Sequence, residues 1–99
     1  MGQTIEINRT TVLDRVLLID TDRSLAGQDG EVYGGVEAAR RKSTFPARLA
    51  VRIFEADSGI DHVFVMSNQV SVRRFSGWDD EKAAAIAKVV SEFFRVYPD

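Results

Sequence analysis

The 99-residue sequence contains no cysteine. That absence excludes disulfides, thiolate metal ligands, cysteine nucleophiles and thiol redox switching together, and it fits a reducing, cytoplasmic setting. Long apolar runs are missing too. Nothing approaches the ~20 residues of a membrane-spanning helix, so no membrane association is expected. The N-terminus lacks the basic region of a signal peptide, and Met1-Gly2 opens no myristoylation motif, because Glu6 stands where Ser or Thr is needed. Neither sign of charge dominates. With 13 basic and 15 acidic residues, the net charge is −2, and strong non-specific binding to nucleic acid is not expected. The glycines form neither G-x-x-x-x-G-K-[ST] nor G-x-G-x-x-G, and no serine sits in G-x-S-x-G, so phosphate-loop and nucleophile-elbow chemistry have no foothold.

What is present describes a globular domain. Apolar residues make up 44% and charged residues 28%, enough apolar surface to offset chain entropy over residues 1–99 as a single domain. Thr4 to Asn8 alternates through Ile5 and Ile7, as a half-buried strand does. Arg9-Thr10-Thr11 is read as a turn, and Val12 to Asp20, with the run Val16 to Ile19, as a second strand. Thr21 to Gly35 is a polar loop with a turn signal at Asp29-Gly30 and a short strand at Glu31-Val32-Tyr33; Val36 to Lys42 is a brief helical turn.

Ser43-Thr44-Phe45-Pro46 opens a helix, since a hydroxyl can cap the first N–H groups and proline is tolerated in the first turn. Leu49, Ala50, Ile53 and Phe54 share one face, and Gly59 is expected to end the helix in the left-handed conformation. Ile60 to Met66 and Gln69 to Phe75 read as an antiparallel hairpin turning at Ser67-Asn68. Asp79 is expected to cap a final helix from Asp80 to Tyr97 that Pro98 ends, with Ala83, Ile86, Ala87, Val90, Phe93, Phe94 and Tyr97 as its apolar stripe. The resulting order predicts an α+β fold: a two-layer ββαββα sandwich, one antiparallel sheet of four strands with both helices on one face.

The chain shows no constellation that carries catalysis or holds a metal or cofactor, and it is read as non-enzymatic. His62 and its neighbour Asp61 point to opposite faces of a strand. Asp20-x-Asp22 offers two carboxylates without the further oxygens a hard cation needs. Two basic clusters remain, Arg40-Arg41-Lys42 and Arg73-Arg74, the second followed by Phe75 and Trp78. Arg73, Arg74, Phe75 and Trp78 form the candidate partner surface. Arginines among aromatics can stack on and pair with single-stranded nucleic acid, which is the alternative reading; overall acidity favours a solvated strand edge instead. Phe75 and Trp78 are expected either to pack beneath the last helix or, if exposed, to mark a partner surface.

Arg52-Ile53-Phe54 ends a helix, Gly59-Ile60 joins it to Val63-Phe64-Val65, Val70-Ser71-Val72 follows a short turn, and Trp78 opens the last helix. On these features the segment from Phe45 to Phe94 resembles the N-terminal domain of Nfu/NifU-type iron–sulfur scaffold proteins. The first half matches more loosely: where the family carries a T-P-N-P-like turn, this chain has Asn8-Arg9-Thr10-Thr11, without proline. The resemblance implies a two-layer α+β domain associated with iron–sulfur cluster assembly. In that family the cluster is held by a separate C-terminal domain with a C-x-x-C pair. A chain without cysteine would therefore act as an accessory, docking a scaffold or client protein, and the resemblance carries over no catalytic residue.

Overall fold

The computed structural model describes residues 5–93. Eight elements follow one another: β1 (Ile7–Leu13), β2 (Val16–Thr21), β3 (Glu31–Tyr33), α1 (Val36–Arg40), α2 (Phe45–Ala56), β4 (Ile60–Met66), β5 (Gln69–Arg74) and α3 (Asp80–Ser91). The strands form one sheet in the order β1-β2-β5-β4-β3, every neighbouring pair antiparallel. The expected α+β sandwich is present, with β3 adding a fifth strand beside β4. The proposed extension of the last helix through Phe94 to Tyr97 and its stop at Pro98, like the start of the first strand at Thr4, lie outside the described residues.

One apolar core joins the layers. Leu49, Ala50 and Ile53 of α2 and Ile86 and Val90 of α3 are buried in the same cluster as Leu17, Ile19, Val63, Val65, Val70 and Val72. Alternate residues of β2, β4 and β5 thus meet both long helices on one side of the sheet, as period-two and period-3.6 patterns require when they share a core. Phe45 and Phe93 close the core edge-to-face at 4.9 Å.

The helix starts obey local chemistry. Thr44 Oγ1 accepts the Ala47 N–H, with Pro46 in the first turn of α2, and Asp79 Oδ1 accepts the Lys82 N–H at 2.8 Å at the start of α3. Thr44 also donates to Glu31 Oε1 at 2.9 Å, and the Tyr33 hydroxyl donates to the same oxygen. Burial, then this hydrogen bond to Glu31, pushes the Tyr33 phenol up to about 12.

Two expectations are corrected. Arg9-Thr10-Thr11 is not a turn. These residues lie within β1, paired with Asp20, Ile19 and Leu18. The hairpin turns at Asp14-Arg15, where Asp14 takes φ 56°, a left-handed conformation that aspartate tolerates better than most residues. Gly59 does not end α2 in the left-handed region either. Asp57 caps the helix in extended conformation, and its Oδ1 accepts the Gly59 N–H at 2.8 Å. Gly59 instead leaves room for Arg74: a Cβ there would meet its guanidinium at 3.0–3.1 Å.

Candidate functional site

The helices occupy one side of the sheet, and among the described residues no element covers the other. Three rows of side chains cross that bare face. Leu13, Val16, Arg73 and His62 are cross-strand neighbours; so are Thr11, Leu18, Ser71, Phe64 and Val32; so are Arg9, Asp20, Gln69 and Met66. Antiparallel partners project to the same side, so each row is one ridge of side chains. Phe75 continues the alternation of Arg73 one residue beyond β5. Leu13, Val32 and Phe75 are 58%, 58% and 71% exposed. They account for three of the four strongly exposed large hydrophobic side chains among the described residues, Val12 on the other side being the fourth.

The middle of this face is concave. Ser71 is the small residue between Leu18 and Phe64 in the central row. Above it lies a shallow cavity of about 150 Å³ lined by Val16, His62, Phe64, Ser71 and Arg73. That volume suits one apolar side chain of a partner, the kind of anchor that dominates interface energetics.

Arg73 at the cavity and Arg9 and Asp20 on the same face are paired within the molecule. Arg73 Nε donates to Asp61 Oδ1 at 2.8 Å, a bond that holds the Asp61 carboxyl below its ordinary value. Arg9 lies 3.6 Å from Asp20, which also accepts from Gln69 Nε2 at 3.0 Å. Asp20 and Asp22 do not converge on a common point: Asp22 pairs with Arg23 at 3.0 Å. Among the described residues no three His, Asp or Glu side chains gather as metal ligands, and no helix is long and apolar enough to cross a membrane.

The four residues proposed from sequence do not share one surface. Arg73 and Phe75 stand on the bare face, Phe75 under the Arg15 guanidinium at 5.7 Å from its ring. Arg74 points to the helix side. Its side chain is only 14% exposed, and it donates to Asp57 Oδ2 at 2.8 Å and to the Gly77 carbonyl at 3.2 Å. It is a strut that ties β5 to the end of α2 and the approach to α3. At Asp57, burial works against ionisation, but hydrogen bonds from Arg74 and the Gly59 N–H and the charges of Arg74 and Lys82 outweigh it, leaving the carboxyl below its ordinary 3.8. Trp78 is half-buried against the core, and its indole N–H donates to the Arg15 carbonyl at 2.9 Å. It pins the β1–β2 turn to the start of α3.

The residues missed from sequence are Leu13, Val16, Leu18, Phe64, Ser71 and Val32. Each shows the alternation of a strand, but their gathering on one face depends on the order of five strands.

A wider cleft of about 500 Å³ between α2 and α3 is bordered by Arg52, Glu55, Lys88 and Glu92. Another of about 450 Å³ lies beside Gly34 and Gly35, where Arg40 bridges Glu37 at 3.0 Å and Glu55 at 3.1 Å. Ser58 and Asp61 also line this second cleft.

No family model matches the chain, and no curated protein does. Among solved structures it is similar to the crystal structure of protein SAV1430 from Staphylococcus aureus, with a TM-score of 0.62 at 15% identity, covering 85% of this chain and 96% of that one. At that identity the likeness is one of fold: the same α+β architecture.

Proposed function

We propose that this domain is a non-enzymatic interaction module, accessory to iron–sulfur cluster assembly in a reducing, cytoplasmic setting, that docks a scaffold or client protein and ligates no cluster itself. The observation that carries the interaction role is the bare sheet face, where Leu13, Val32 and Phe75 stand in water around a central depression. The iron–sulfur setting rests on the resemblance in Arg52-Ile53-Phe54, Gly59-Ile60, Val70-Ser71-Val72 and Trp78; the absence of cysteine makes the role accessory. The alternative, single-stranded nucleic acid binding, is weakened by the same geometry. Arg74 faces inward, and Arg73 is neutralised by Asp61.

Binding of the purified domain to a cysteine-bearing NifU-type scaffold, measured by calorimetry, tests the proposal. Ser71→Trp fills the depression from a half-buried position on the bare face. It is expected to weaken binding at least about tenfold, equivalent to ~1.4 kcal/mol, while leaving the unfolding temperature unchanged. No heat of binding with the native domain, or equal affinity with Ser71→Trp, sinks this reading. Binding of a fluorescent single-stranded oligonucleotide that fades steeply as salt rises would support the alternative.

A further inference from the structure

The two edges of the sheet are built differently. β3 is three residues long and set between Gly30 and Gly34, so it offers little length for another strand to pair with. β1 is seven residues long, and its pairing with β2 is regular from Arg9 to Leu13, the one irregularity falling between Ile7 and Arg9. That regular run, Arg-Thr-Thr-Val-Leu, contains no proline and no lysine. Its single charge, Arg9, reaches across the sheet to Asp20. Val12 and Leu13, at its end, are 45% and 58% exposed. From Thr10 to Leu13 the edge carries no charge, proline or bulge, and a regular β-branched edge of that kind is a template for another strand.

We infer that β1 pairs antiparallel with β1 of a second copy of this chain, about a two-fold axis passing through Thr11. The register follows from the faces and charges. A two-fold axis normal to the sheet sets one residue opposite itself and keeps the helices of both copies on one side. An axis at Thr10 sets Ile7 opposite Leu13. Ile7 packs against the core beyond the bulge, whereas Leu13 belongs to the bare face, so the two side chains project to opposite sides. An axis at Val12 sets Arg9 opposite Arg15, a like-charge pair that destabilises.

The axis at Thr11 pairs Thr11 with itself, Thr10 with Val12 and Arg9 with Leu13, and each pair shares a face. The Arg9 stem then covers the exposed Leu13 of the other copy, and the Thr10 methyl covers Val12. The product is a ten-stranded sheet whose two bare faces are continuous. Five residues from each copy form a contact smaller than the ~1,000 Å² of a stable interface, so association belongs at high concentration. This inference uses the backbone edge of β1 rather than the depression over Ser71; Leu13, the cross-strand partner of Val16, borders both, and the two are tested by separate substitutions.

Sedimentation velocity of the whole chain from micromolar to millimolar concentration tests it. The weight-average mass is expected to climb from 11.0 kDa toward about twice that value. Thr11→Lys sets two ammonium groups against each other at the axis and is expected to hold the chain monomeric, with unchanged circular dichroism and unfolding temperature. Thr11→Val, a better strand former without charge, is expected to associate at least as strongly. A native chain that stays monomeric throughout overturns the inference. So does association that Thr11→Lys leaves intact, which would place the contact elsewhere, for instance on the bare face.

Discussion

Leu17 and Leu18 are consecutive residues of one strand, and they live in different proteins as far as physics is concerned. Leu17 is fully buried beneath the helices; Leu18 faces away from them, in the central row of the bare side with Ser71 and Phe64. The helix side of the sheet is dry, apolar and closed, with one ion pair, Arg74–Asp57, sealed at its margin. The bare side carries comparable apolar residues but leaves several in water and keeps its charges in local pairs. The contrast teaches that the helix side accounts for the fold, whereas the bare side contributes little to holding it together. That makes the bare side the place to look for a partner.

Substitutions measure that division, and the largest effect is expected on the closed side. Leu17→Ala removes a fully buried side chain and should cost about 3 kcal/mol of stability in urea unfolding. A loss close to zero would mean that the two sides do not differ as described. Next in size is Arg74→Met, which strands the Asp57 carboxylate with little access to water; about 2 kcal/mol is expected.

Acid should act on the same pair. The folded Asp57 pKa lies below its ordinary 3.8, so the stabilisation is complete above that value and is lost as pH falls through the lower folded one. Arg74→Met should therefore flatten the acid limb of the stability–pH curve. Gly59→Ala presses a methyl against the Arg74 guanidinium, the movable end of a long side chain, and about 1 kcal/mol is expected. Smallest of all is Leu18→Ala on the bare side. It should cost below about 1 kcal/mol, although it is the same chemical change as Leu17→Ala one residue away.

Much of the closed side was legible in the sequence. The stripe in α2, the cap at Asp79, the alternation in β4 and β5 and the short β3 all follow from local patterns, because burial imposes period two on strands and 3.6 on helices. The hairpin between β1 and β2 was misplaced. Arg9-Thr10-Thr11 looks polar enough for a turn, but threonine is a strand former, and Asp14 marks the bend through a tolerance of positive φ that other residues share less readily.

The site was less legible. Alternation alone separates Arg74 from Arg73 and Phe75, but nothing local shows that Arg74 is held by Asp57, 17 residues away. The depression over Ser71 forms only because β5 lies between β2 and β4, a non-local arrangement that no spacing in the chain encodes.

The most direct test of this division is chemical-shift mapping of the isotopically labelled domain as an unlabelled cysteine-bearing scaffold is added. Shifts at Val16, Leu18, Phe64, Ser71 and Arg73, with Ile53 in α2 and Ile86 in α3 undisturbed, are the predicted result. Shifts concentrated on α2 and α3, with the bare side silent, would contradict the account.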